Sequence, residues 1–64
     1  MAKTTVPKAS ITSTFSDING MLAWARESVR TGDWEQVLTQ LEGVRVLVAL
    51  AKVRVEQRQR EEEA

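Results

Sequence analysis

Cysteine and histidine are both absent from this chain of 64 residues. Their absence removes disulfide staples and nearly all structural zinc chemistry. It also removes the most common general base and the most reactive side-chain nucleophile. An excess of either charge is missing too, since nine basic residues balance nine acidic ones. A neutral chain has no general attraction for nucleic acid or for an anionic membrane. Long apolar runs are lacking: the longest uncharged one in the second half is Val46 to Ala51, far short of the roughly 20 residues a membrane span needs. Met1 to Ala9 carries Lys3 and Lys8 but no apolar segment of the kind a secretory signal requires. No phosphate-binding glycine loop or calcium loop occurs. Asp17, Glu27, Asp33, Glu35 and Glu42 read as helix caps or solvated helix faces rather than as paired catalytic acids. The expectations are therefore no catalytic residue, no cofactor, no metal and no enzymatic activity, in a protein of the cytoplasm.

A chain this short removes only roughly 60% of its unfolded surface from water. With disulfides and metal unavailable, the missing stabilisation is expected from another protein surface, most simply a second copy.

What is present is helical patterning. Residues 1–13, MAKTTVPKASITS, are rich in hydroxyl side chains and hold the single proline, which reads as an extended or flexible arm. From Thr14 the segment TFSD has capping-box spacing. Phe15, Ile18, Leu22, Ala25 and Val29 then recur every three or four residues, with Met21 and Trp24 widening the stripe. Asn19-Gly20 is the weak point of this helix, but Gly20 falls opposite the stripe.

VRTGDWEQ, residues 29–36, marks an elbow. Gly32 suits the left-handed residue that ends a helix, and Asp33 suits the N-cap of the next, with Gln36 three residues on. A stop signal beside a start signal forces an antiparallel hairpin. The second helix is predicted over 34–60. Trp34, Val37, Leu41, Val44, Val48, Ala51 and Val55 alternate spacings of three and four, a coiled-coil seam. Val46, Leu50 and Val53 form a second apolar patch on another side. GVRVLV and KVRV also alternate like strands, but no turn residue lies between Val44 and Val55, which favours helix. Helices of about 17 and 28 residues differ by roughly 17 Å in length. The first would then reach only to about Leu50, leaving Val53 and Val55 uncovered. Glu61 to Glu63 oppose the helix dipole, so the last turn is expected to fray.

The fold class expected is all-α: a helical hairpin over 14–64, preceded by the arm and assembling as a homo-oligomer, a dimeric four-helix bundle. Its oligomer interface would comprise Val37, Leu41, Val44, Val48, Ala51 and Val55, with Val46, Leu50 and Val53. Trp24, Trp34, Arg54 and Arg58 are candidate contacts with a further protein partner, the arginines belonging to a local excess of positive charge over residues 52–60. The function this implies is a non-enzymatic interaction module acting as an adaptor, inhibitor or assembly factor, with nucleic acid and membrane disfavoured as partners.

One alternative follows from the order of elements over residues 5–48. Arm, helix, glycine-containing turn and helix resembles the ribbon-helix-helix family of DNA-binding regulators. That resemblance implies paired N-terminal strands in the major groove, with Lys8, Ser10 and Thr12 facing bases. Pro7 in the ribbon and the zero net charge argue the other way. A hairpin dimer also shares its architecture with small RNA-binding four-helix bundles, an analogy of fold alone.

Overall fold

The computed structural model describes residues 6–63, and two helices hold nearly all of them. Helix α1 spans Lys8–Thr31 and α2 spans Trp34–Glu63. They pack against each other as an antiparallel hairpin about 52 Å long and 18 by 15 Å in section.

The elbow forms as its residue types dictate. Gly32 sits at φ 76°, ψ 17°, a left-handed conformation that costs a residue with a Cβ roughly 1–2 kcal/mol. The Gly32 N–H donates to the Val29 carbonyl at 3.1 Å, and the Asp33 N–H donates to the Ser28 carbonyl at 3.0 Å. These two bonds make a Schellman closure and satisfy carbonyls that α1 would otherwise leave bare. Asp33 then caps α2, its Oδ1 accepting the Gln36 N–H at 3.2 Å. Stop and start occupy two residues.

The N-terminal boundary differs from the sequence expectation. α1 begins at Lys8, not Thr14, so 8–13 are helical rather than an extended arm. Pro7 stands at the N-cap with φ −72° and ψ 147°, where its missing N–H costs the helix nothing. The rest of the expected arm, 1–5, lies outside the described residues. Thr14 is interior, and its Oγ1 donates back to the Ser10 carbonyl at 2.9 Å. Asn19-Gly20 causes no interruption, and no atom lies within 4 Å of where a Gly20 Cβ would stand. At the other end α2 continues to Glu63, three residues beyond the expected end at 60.

These two extensions overturn the overhang argument. α1 now has 24 residues and reaches the end of α2, where the Val6 N–H donates to both carboxylate oxygens of Glu61 at 3.2 Å. Val53 and Val55 are indeed exposed, but not because α1 is short, since α1 runs alongside them.

The seam between the helices is thin. On α1 its buried members are Thr14, Ile18, Ala25 and Ser28, with Ile11 and Met21 half-buried. On α2 the least exposed positions are Val37, Gln40, Gly43, Val44, Leu47, Ala51, Arg54, Arg58 and Glu61, which alternate three and four apart from Gly43. Among the described residues only Ile18, Ala25 and Ala51 are buried and apolar. Of these, Ile18 alone supplies the roughly 1.5–3 kcal/mol of a large core side chain. Gly43 allows close approach, because the Met21 terminal methyl occupies the space where its Cβ would stand. The chain exposes 5134 Å², about 1000 Å² more than the ~4100 Å² expected of a compact chain of 7.2 kDa.

Candidate functional site

The seam predicted on α2 is split by the fold. Val37, Val44 and Ala51 turn toward α1, as members of a three-four repeat that the hairpin itself uses. The alternating members Leu41, Val48 and Val55 do not, and each remains exposed. Their places against α1 are taken by Gln40, Leu47 and Arg54, one residue earlier in each turn. Val46, Leu50 and Val53 are exposed as well.

Polar side chains hold the seam at both ends. Near the elbow the Ser28 hydroxyl donates to Gln40 Oε1 at 3.1 Å, with both residues buried. At the far end Arg54 Nη1 reaches across to Thr14 Oγ1, and to the Ser10 carbonyl at 3.4 Å. Arg58 Nη1 donates to the Val6 carbonyl at 3.3 Å, while its Nε pairs with Glu62 at 3.0 Å. No buried polar side-chain atom among the described residues lacks a partner.

Two of the four candidate partner contacts thereby change role. Arg54 and Arg58 are half-buried and engaged within the chain, holding the start of α1 against the end of α2. Trp24 and Trp34 are 65% and 63% exposed, and so remain accessible. Trp24 lies beside a groove of roughly 560 Å³ that Ser16, Asp17, Gly20, Met21 and Leu47 complete. Lys8, Ser10 and Thr12, which would read bases from a strand, lie in the first turns of α1 instead. The ribbon geometry requires extended backbone there, and the backbone is helical.

The hairpin has one broad apolar side. Phe15, Ile18, Val48, Ala51 and Val55, with Lys52 and Glu56, line a groove of roughly 300 Å³ that runs between the helices. Phe15, Leu22 and Val29 are spaced by seven along α1, and Leu41, Val48 and Val55 by seven along α2, so each set forms one line on its helix. All six are exposed. The sequence reading placed the oligomer interface on the second helix alone and so left out the α1 half of this surface. The seven-residue spacing of Phe15, Leu22 and Val29 was the available signal.

No group of three or more potential metal-ligating side chains occurs among the described residues, and no helix there is long and apolar enough to cross a membrane. Searches against protein-family models, curated proteins and solved structures found no match to this chain.

Proposed function

We propose that this chain is a non-enzymatic protein–protein interaction module, an adaptor, inhibitor or assembly factor that works as a self-associated helical hairpin. One observation carries the reading: among the described residues twelve large hydrophobic side chains are exposed, whereas only three apolar residues are buried. A small monomer seldom leaves so many large apolar side chains in water for so few buried ones, and exposed apolar surface of this kind marks a protein contact. Without cysteine, the hairpin has no disulfide to offset its thin seam. A four-helix bundle of two hairpins supplies the missing core with the elements already formed. Trp24 and Trp34 then remain as aromatic anchors for a larger partner, since tryptophan dominates many binding hot spots.

Sedimentation equilibrium on the full chain tests the reading. A dimer at micromolar concentration, with a melting temperature that rises with concentration, is the expected result. A monomer that stays helical and melts at the same temperature at every concentration overturns it.

A further inference from the structure

Gly32 closes the elbow and Gly43 admits Met21, but Gly20 has no such task in the hairpin. It lies inside α1, where glycine is a poorer helix former than alanine, and its φ is not positive. It permits no close approach either, because no atom lies within 4 Å of where its Cβ would stand. What the missing side chain leaves is a notch open to solvent. Asp17, Gly20, Met21 and Trp24 are separated by helical steps of three and four, so they share one side of α1.

The notch separates a carboxylate from an aromatic ring. Asp17 and Trp24 stand two turns apart, about 10.5 Å along the axis, and line one groove with Gly20 between them and Met21 and Leu47 beneath. Long helical side chains lean over the turn that precedes them, which for Trp24 is the turn carrying Gly20. The indole is 65% exposed, which leaves much of its surface accessible. A second groove, on the elbow side of Trp24, carries Glu27. The indole therefore has a carboxylate on either side, and among the described residues neither groove is lined by lysine or arginine. Glu27 is engaged by Arg30 at 3.4 Å, whereas Asp17 takes part in no ion pair among the described residues. Carboxylate and indole face both attract a cation. A guanidinium can serve both at once, because its plane stacks on the ring while its edge gives parallel N–H bonds to the carboxylate. An ammonium has neither the plane nor the fork. The walls are too exposed to enclose a free small molecule, of which a pocket normally buries roughly 70% or more. The cation that fits here is one carried on a protein surface.

We infer that this groove receives an arginine side chain of a partner protein. Asp17 pairs with the guanidinium, Trp24 stacks on it, and Gly20 leaves the room it occupies. The apolar stem of the arginine lies along Met21 and Leu47, as such stems do on apolar surface. The inference rests on the interaction-module reading above and adds the chemistry of the contact made at Trp24.

A nuclear magnetic resonance titration of the full chain tests this, with the capped tripeptide acetyl-Ala-Arg-Ala-amide as probe at constant ionic strength. The two indole N–H resonances are assigned through Trp34→Phe. The Trp24 signal is expected to move to saturation, with a dissociation constant on the order of 10 mM for one such contact, and the Trp34 signal to stay. The citrulline peptide, which keeps the shape without the charge, is expected to bind at least about tenfold more weakly, as is the arginine peptide to Asp17→Asn. Gly20→Leu fills the notch and is expected to weaken binding as much while raising the melting temperature, which a folding defect cannot imitate. No saturable shift at Trp24, or an equal one with the citrulline peptide or in Gly20→Leu, overturns the inference. Sedimentation equilibrium on the same chain keeps the two claims apart. A dimer blind to the arginine peptide defeats the groove alone, and a monomer that binds it defeats self-association alone.

Discussion

Thr14 is the most deeply buried polar residue among those described, 1% exposed, and its hydroxyl accepts a hydrogen bond from Arg54, forty residues further along the chain. The same hydroxyl donates to the Ser10 carbonyl, so both its capacities are used. A charge-assisted bond at a half-buried site is among the stronger polar contacts available to a small protein. It also fixes the register, because only one alignment of the helices brings the two residues together.

Arg54→Met keeps the apolar stem and removes the guanidinium. It is expected to destabilise the hairpin by about 1.5–3 kcal/mol, the range for hydrogen bonds to charged groups. Chemical denaturation of Arg54→Met, Thr14→Val and the double variant, at one fixed chain concentration, measures the coupling. A coupling energy below about 0.5 kcal/mol would mean that the pair is incidental.

The second buried pair, Ser28 and Gln40, predicts a sign reversal. Ser28→Ala leaves the Gln40 side chain buried without its donor, at an expected cost of about 1–3 kcal/mol. Replacing both, as Ser28→Ala with Gln40→Leu, removes the unsatisfied group and is expected to recover most of that loss. Melting temperatures of the two variants and the wild type decide it.

At the elbow, Gly32→Ala is expected to cost about 1–2 kcal/mol through its left-handed backbone, although no atom obstructs the new methyl. Asp33→Ala is expected to cost about 1 kcal/mol, and Asp33→Asn far less, because asparagine caps almost as well. Equal losses for Asp33→Ala and Asp33→Asn would show that its charge matters rather than its capping bond.

Gly43 and Met21 make a third coupled pair. Gly43→Ala gains roughly 1 kcal/mol of helix propensity but displaces the Met21 methyl. In a Met21→Ala background that conflict is gone, so Gly43→Ala is expected to stabilise by the full ~1 kcal/mol there and by less in the wild type. Identical effects in both backgrounds would place Met21 elsewhere.

Much of the fold was legible where one residue type does one job. Gly32 and Asp33 announce the elbow because left-handed backbone and N-capping each have few suitable residues. Thr14 misled for the opposite reason. A hydroxyl that can cap an amide can also bond the carbonyl four residues back inside a helix, and here it does the latter. Pro7 was the better start signal. The seam on α2 misled differently, because ranking positions by hydrophobicity selects Leu41, Val48 and Val55. The chain instead turns Gln40 and Arg54 toward α1, where Ser28 and Thr14 await them. Such pairings join residues far apart in sequence, and a one-dimensional period carries no trace of them. The surface left over is the one the heptads mark most strongly, and it is the candidate site.

Val6 is held through both its N–H and its carbonyl by Glu61 and Arg58, so the hairpin's two free ends lie side by side, opposite the elbow. A tension applied between those ends falls on one cross-helix contact at a time, first at Val6, then at the Thr14–Arg54 bond, and last at Ser28–Gln40. Such a load meets these contacts in series, as in a zipper, rather than together, as in shear. The elbow's own bonds, from Gly32 to Val29 and from Asp33 to Ser28, span no gap between the helices. They are local to the turn, so such a load does not act on them until the cross-helix contacts have parted.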